Sequence, residues 1–341
     1  MKRVKLCTIL LTGLLATGLM LGCDSEKPQP AEPQQPPKVS LPFEKVKMEQ
    51  GTELGIVKLN NVDKIFISEN FSRTGALTKM GDIIYIRNAN TKTISEAKLD
   101  GEDLKITKAD IVKEVPEDSF ISNDGKKLIY RNANRCIDTL AADGTATPFF
   151  EQRINGMLGV PGKEEVLSFA SSAAVMRYAV ADGKAGSEMN VVIPQERNKL
   201  LQDPNGITCD GTNVYMYGTT LDGKMSVGAV AVYSLDGIPQ YVLGNKHDET
   251  RKPGFLASAF DVAVTEDYIF VFDGNIRRIH IFNKKDGSII DLMSADKLFD
   301  GQTGVQLLAM GDNEVLAIVR PGAKTGFEAG DKVFMLKMYG Q

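Results

Sequence analysis

An Asp-Gly pair ends an alternating apolar segment five times in this chain, and this repeat constrains the fold more than any other feature. The segments are EAKLDG (96–101), TLAADG (139–144), YAVADG (178–183), VYSLDG (232–237) and IFNKKDG (281–287). Asp-Gly between two β-type segments is typical of a tight hairpin, because glycine adopts the positive φ that such turns require. Five hairpins at nearly regular spacing predict a repeated β unit.

Each unit contains four short apolar segments. In the fourth unit they are PNGITCDG, NVYMYGT, VGAVAVYSLDG and IPQYVLG, and no long amphipathic helix is evident anywhere in the repeats. Four strands in roughly 45 residues are the pattern of a β-propeller blade. The sequence therefore predicts six blades, at about 73–108, 115–152, 154–193, 204–244, 259–292 and 305–341.

The sixth unit has only three strands before the chain ends at Gln341. A fourth strand is available near the start of the repeats, in GIVKLN (55–60) or KIFISEN (64–70). Pairing of this strand with the last blade would protect an open sheet edge. We therefore predict an all-β fold, a six-bladed β-propeller over residues 51–341 whose ring is closed by an N-terminal strand.

The tetrapeptide RNAN occurs at 87–90 and at 131–134, between the predicted second and third strands of the first two blades. Asparagine suits this place because it tolerates the backbone of tight turns. In the fifth blade, DVAVTEDYIFVFDGNIRRIHIFNKKDGSI (261–289) resembles the repeat of the NHL family of six-bladed propellers. The resemblance implies the fold and leaves the function open, because propellers have many unrelated functions.

The N-terminus predicts export and anchoring. Three basic residues among the first five precede an apolar segment that ends in MLGC (20–23). This ending resembles the lipobox of bacterial lipoproteins, which implies a signal peptide at 1–22 and acylation (palmitate) of Cys23. The alternative is an ordinary secretory signal peptide in which Cys23 has no role.

Residues 24–40 are rich in Pro, Gln and Glu and contain no aromatic side chain, so they cannot bury enough surface to fold. We predict a flexible, disordered Pro-rich linker at 23–50 and a protein anchored to a bacterial membrane, on the extracytoplasmic (periplasmic or surface) side of the cell envelope.

Charge and motif content argue against several function classes. The formal net charge is -4, the pI is near 5.5, and no dense block of Lys and Arg predicts nucleic-acid binding. The chain has two histidines, His247 and His280, and no hydrolase, zinc or P-loop motif. Cys136 and Cys209 are predicted to lie two blades apart, which favours free thiols over a disulfide. A non-catalytic role without a cofactor is therefore preferred, and enzymatic activity stays open.

One enzymatic alternative rests on a resemblance to gluconolactonase-type propellers, which bind a divalent metal at the ring axis. The segment DPNGIT (203–208) places Asn205, and FDVAV (260–264) places Asp261, at positions that match ligands of that family. Their oxygen atoms suit calcium. The resemblance implies a calcium-dependent, lactonase-like hydrolase, although the early glutamate of that family, in an EGP-like context, is absent.

The preferred interpretation is a binding or scaffold module for a protein, a peptide or an envelope component. In propellers, the loops between blades share one rim with the loops between second and third strands, and the longest interblade loops here are 194–204, 244–258 and 293–304. The partner-binding candidates on this rim are Arg87, Arg131, Arg197, His247, Arg251 and Arg277. The alternative is that these arginines are solvated or pair with nearby carboxylates.

Overall fold

In the residues that it describes, a computed structural model of the protein contains 24 β-strands, which form six four-stranded antiparallel sheets, and one short helix, α1 (Ala295–Leu298). The structure describes residues 62–71, 74–101, 103–154, 156–169, 174–193, 201, 203–222, 225–244, 254–299, 304–320 and 330–338. The predicted signal peptide, Cys23 and the predicted linker lie outside these ranges.

The strands are best described by their position in each sheet. The first strands are β2 (Thr74–Met80), β6 (Ile121–Asn123), β10 (Gly156–Gly159), β14 (Asp203–Cys209), β18 (Ala259–Val264) and β22 (Gly304–Gly311). The second strands are β3 (Ile83–Asn88), β7 (Leu128–Arg131), β11 (Glu165–Phe169), β15 (Asn213–Asp222), β19 (Tyr268–Asp273) and β23 (Glu314–Arg320). The third strands are β4 (Thr93–Asp100), β8 (Ile137–Leu140), β12 (Val175–Ala181), β16 (Met225–Ser234), β20 (Arg278–Asn283) and β24 (Asp331–Met338). The fourth strands are β5 (Asp103–Val112), β9 (Ala146–Phe150), β13 (Lys184–Ile193), β17 (Pro239–Gly244), β21 (Ile289–Ser294) and β1 (Val62–Phe71).

The first strands contact one another around a closed ring, in the order β2, β6, β10, β14, β18, β22 and back to β2. Each sheet is therefore one blade, and its first strand lies nearest the axis. The sixth blade has the order β1-β24-β23-β22, and β1 pairs with β24 from Val62 opposite Met338 to Phe71 opposite Asp331. The predicted six-bladed propeller and its closure by an N-terminal strand are confirmed, and the closing strand contains KIFISEN.

The hydrophobic core is divided among the interfaces between blades. Each pair of adjacent blades in the described part of the chain encloses one cluster of buried apolar side chains. Every residue of β19, with the sequence YIFVFD, is buried. A blade packs against a neighbour on both faces, so its central strands are apolar on both sides instead of alternating.

The turns explain the repeat that marks the blades. All five glycines of the Asp-Gly pairs have positive φ, from 63° at Gly101 to 87° at Gly144. A side chain would strain this backbone, so glycine is required at the turn between the third and fourth strands. Among the described residues, no helix has the length and hydropathy of a membrane span.

Candidate axial binding site

A cavity with a volume of about 850 Å³ lies on the propeller axis. It is lined by residues at the beginning of first strands and near the end of second strands. It therefore opens on the face that carries the interblade connections and the turns between second and third strands. All six blades contribute to it, so the closed ring is needed to form it.

Three adjacent blades supply arginine to this cavity from the same strand position. Arg320 ends β23 in the sixth blade, Arg87 is the penultimate residue of β3 in the first, and Arg131 ends β7 in the second. The Arg87 and Arg131 side chains are buried, and both line the cavity. The sequence placed these two arginines on the loop rim, and the structure buries both of them in a cationic half-ring inside the mouth of the channel.

The other three blades supply aromatic rings from the second strand. Phe169 ends β11, Tyr217 lies in β15 opposite Gly206, and Phe272 is the penultimate residue of β19. All three are buried. Phe120, from the beginning of the second blade, meets Phe169 edge-on, with ring centroids 5.7 Å apart. The cavity thus has a cationic half-ring facing an aromatic half-ring.

Glycines in the first strands allow these second-strand side chains to reach the axis. A Cβ atom at Gly75 would overlap the Arg87 guanidinium, which lies directly over the glycine backbone. The same close approach pairs Gly156 with Phe169 and Gly206 with Tyr217, whereas a Cβ atom at Gly304 would lie 3.0 Å from the Cβ atom of Arg320. A larger residue at such a position would block the path of the side chain between its own strand and the channel.

Arg87 is the most unusual side chain of the site. It is 4% exposed, and its Nε and Nη1 atoms have no hydrogen-bond partner among the described residues. Burial lowers the pKa of the Arg87 guanidinium, and nearby Arg131 and Arg320 lower it further, while Asp118 and Glu117 act in the opposite direction. Arginine nevertheless stays charged in proteins, so the site holds a buried positive charge that no carboxylate of the described residues contacts directly.

The neighbouring arginines, by contrast, have acidic partners. Arg131 forms an ion pair with Asp118, which keeps the pKa of that carboxyl below its usual value. Arg320 donates from Nη2 to the carbonyl of Thr74 at 2.7 Å, and its Nε lies 3.8 Å from Oδ1 of Asp331. The Thr74 amide in turn donates to Oδ2 of Asp331 at 2.7 Å, which links the sixth blade to the first.

Asn205 and Asp261, the predicted metal ligands, both line the axial cavity. Asn205 donates from Nδ2 to the Ala259 carbonyl at 2.7 Å, which joins the fourth blade to the fifth. Within the described residues, no three His, Cys, Asp or Glu side chains are grouped closely enough to hold a metal ion. The metal-dependent alternative therefore stays a prediction that no further observation favours.

The Asp261 carboxylate is already occupied by protein donors. It accepts hydrogen bonds from the Leu307 amide at 2.8 Å, from the Val262 amide at 2.9 Å and from the Tyr217 hydroxyl. Burial raises its pKa to about 6, and these hydrogen bonds act in the opposite direction. Asp261 thus joins three consecutive blades.

The remaining predicted residues are distributed as follows. Arg277 is exposed, lies at a positive φ of 54° in the turn after β19 and lines the cavity mouth. Arg197, His247 and Arg251 lie outside the described residues. Cys136 and Cys209 are free thiols in the second and fourth blades, as predicted.

The asparagines of the two RNAN segments have the predicted role in turns. The Asn88 Oδ1 atom accepts hydrogen bonds from the amides of Asn90 and Thr91, at 2.9 and 3.1 Å. Asn132 Oδ1 accepts in the same way from Asn134 and Cys136. Asparagine therefore forms the turn, while the arginine before it points toward the axis.

The sequence analysis missed Arg320, Ser119 and the aromatic half-ring. A detectable signal existed for Arg320, because EVLAIVR ends a second strand in arginine just as LIYR does. The aromatic residues carry no comparable signal, since Phe and Tyr occupy core positions throughout the repeats.

No protein-family model matches the sequence, and a comparison with curated proteins finds no relative. Solved structures are similar in fold. Hydrazine synthase from Kuenenia stuttgartiensis has a TM-score of 0.50 at 10% identity, over 78% of this chain and 84% of that one. A nidogen/laminin complex is also similar, with a TM-score of 0.48 at 14% identity over 66% of this chain and 81% of that one. The AfRom2 CNH domain has a TM-score of 0.48 at 11% identity, over 82% of this chain and 100% of that one. The chain is thus a six-bladed β-propeller with an axial cavity.

Proposed function

We propose that this protein is a non-catalytic binding or scaffold module, held at the extracytoplasmic side of a bacterial membrane, that docks a protein, peptide or envelope component on its cavity face. The observation that carries the proposal is the axial cavity, to which all six blades contribute and in which the Nε and Nη1 atoms of Arg87 are buried without a hydrogen-bond partner among the described residues. A buried unpaired charge destabilises a fold, so its retention is explained by a ligand group that occupies it.

Exposed apolar side chains on the same face support docking. Phe260 lines the cavity and is 57% exposed, while Leu221 and Met225 are each 49% exposed. The latter two lie at the end of the long β15–β16 hairpin, which is the turn between second and third strands of the fourth blade. Large apolar side chains that stay exposed on the face of a cavity are available for contact with a partner.

Anchoring is proposed from the N-terminal sequence alone. Acylation of Cys23 would attach the chain to the membrane, and the following Pro-rich residues would span about 3 Å each in an extended conformation. A Cys23→Ser variant is expected to appear in the soluble fraction after cell lysis and centrifugation. If it stays in the membrane fraction as completely as the unchanged protein, the lipid anchor is refuted.

Site-specific photo-crosslinking tests the docking face. A photoreactive amino acid at Phe260 or Leu221 is expected to capture a discrete partner in intact cells. The control position is Ile238, which is 60% exposed but lies in the turn between β16 and β17, on the opposite face. Equal capture from Ile238, or none from the cavity face, would contradict the proposal.

A further inference from the structure

The two halves of the axial cavity differ in chemistry, and this difference specifies a ligand class. The cationic half-ring contains one guanidinium, Arg87, that no described carboxylate contacts directly, whereas Arg131 and Arg320 have Asp118 and Asp331 beside them. One uncompensated positive charge corresponds to one negative charge on a ligand.

A second unpaired group lies near the cationic half-ring. Ser119, in the second blade next to Asp118, is 3% exposed and lines the cavity, and its Oγ atom has no hydrogen-bond partner among the described residues. A hydroxyl can donate to an anion beside a guanidinium. Arg87 and Ser119 thus provide donors from two adjacent blades, and both lack an acceptor in the described part of the protein.

The planar guanidinium fork binds a carboxylate through two parallel hydrogen bonds. Phe169, Tyr217 and Phe272 form the opposite, apolar wall, on which a flat or aliphatic group would be shielded from water. A volume of about 850 Å³ lies within the range of cavities that bind small molecules or the end of a peptide.

We propose that the axial cavity binds an amphipathic monocarboxylate, with the carboxylate on Arg87 and Ser119 and its apolar body against Phe169, Tyr217 and Phe272. This inference deepens the proposed binding function and rests on it, because it names the chemical group that the cavity face recognises. The carboxylate belongs either to a free organic acid or to the C-terminus of a peptide, and both present the same chemistry to the arginine.

Isothermal titration calorimetry of the protein with matched probes tests this assignment. Phenylacetate is expected to bind, whereas phenylacetamide, which lacks the charge, and acetate, which lacks the ring, are expected to bind roughly tenfold or more weakly. A short peptide that ends in phenylalanine, with a free or an amidated C-terminus, distinguishes the two sources. Tighter binding of the free peptide than of phenylacetate identifies a chain terminus, and the reverse order identifies a small acid.

Substitution of Arg87 tests the position of the carboxylate. In Arg87→Met, the preference for phenylacetate over phenylacetamide is expected to disappear, while Arg177→Met, which alters an arginine outside the cavity lining, should retain it. Gly75→Val is expected to reproduce the loss by displacing the Arg87 guanidinium. If a variant fails to fold, the comparison of phenylacetate with phenylacetamide in the unchanged protein still tests whether the cavity recognises a carboxylate.

Equal affinity for phenylacetate and phenylacetamide, or no binding of any probe, would overturn the inference. So would an unchanged acid preference in a folded Arg87→Met variant. The photo-crosslinking experiment is independent of these probes. Capture of a partner at Phe260 without carboxylate binding would therefore refute the ligand class and leave the proposed docking function standing.

Discussion

Replacement of Arg87 by methionine should make the protein more stable, which is the opposite of the usual result for a buried arginine. Nε and Nη1 of Arg87 are buried without hydrogen-bond partners among the described residues. A buried donor that is left unsatisfied costs about 1–3 kcal/mol, and more when the group is charged. Methionine keeps most of the apolar stem and removes both donors, so we expect the free energy of unfolding to rise by about 1–3 kcal/mol.

The electrostatic surroundings do not reverse this sign. Asp118 and Glu117 favour the charge on Arg87, whereas Arg131 and Arg320 disfavour it, and burial is the largest effect and also disfavours it. Removal of the charge therefore loses some attraction to two carboxylates and relieves repulsion from two arginines. The desolvation cost of the buried guanidinium, which methionine avoids, therefore determines the sign of the change in the free energy of unfolding.

Arg177→Met is the matched control, because this arginine is also mostly removed from solvent but is paired with a carboxylate. Its Nε and Nη2 atoms each donate to the Glu165 carboxylate at 2.8 Å, and the two side chains are 13% and 17% exposed. Loss of one member of such a pair leaves a buried charge, which costs about 3–5 kcal/mol. The same substitution should thus have opposite effects at the two positions.

Urea denaturation measures both effects, since urea adds neither ions nor a competing guanidinium. The midpoint is expected to increase for Arg87→Met and to decrease for Arg177→Met, with similar slopes. If Arg87→Met destabilises the protein as much as Arg177→Met does, Arg87 has a structural role, and its assignment as a ligand-binding group loses its physical basis.

Three further predictions concern other parts of the fold. Burial lowers the pKa of His280 to about 3, so His280 stays neutral in the native state, whereas in the unfolded state it takes up a proton below pH 6.5. The contribution of His280 to the free energy of unfolding is therefore lost as the pH falls from 6.5 toward 3, by about 3 kcal/mol at pH 4.5. In urea titrations at successive pH values, His280→Leu should flatten this slope. Because Asp261 already accepts three hydrogen bonds from the protein, calcium is expected to leave the Tm unchanged; a calcium-dependent increase that vanishes in Asn205→Ala would instead restore the metal-dependent alternative. Deletion of the chain through residue 71 should expose the edge of β24 and cause loss of cooperative unfolding or aggregation, whereas deletion of 24–40 alone should leave thermal unfolding unchanged.

Much of the architecture was predictable because it depends on local patterns. Hairpins require glycine at positive φ, and the five Asp-Gly pairs therefore reveal the number and order of most blades. Closure by an N-terminal strand followed from the sixth blade, in which only three strands precede Gln341. The role of asparagine in RNAN was also predictable, because the bonds from Asn88 to the following amides span only two and three residues.

The location of the binding site was not predictable in the same way. The sequence placed Arg87 and Arg131 near the turn that follows the second strand, on the loop rim, but it did not indicate that they are buried. Whether such a side chain points outward or toward the axis depends on the residue opposite it on another strand and on the curvature of the ring. At Arg87 the decisive neighbour is Gly75, which leaves the space that the guanidinium fills.

The sequence by itself determined the repeat, the four-stranded blades and the way the ring closes, because hairpin turns and strand alternation are properties of consecutive residues. Only the tertiary structure decided that three arginines and three aromatic rings face one another across one cavity. Those six side chains come from six blades, and residues so far apart in sequence become neighbours only when the ring is closed.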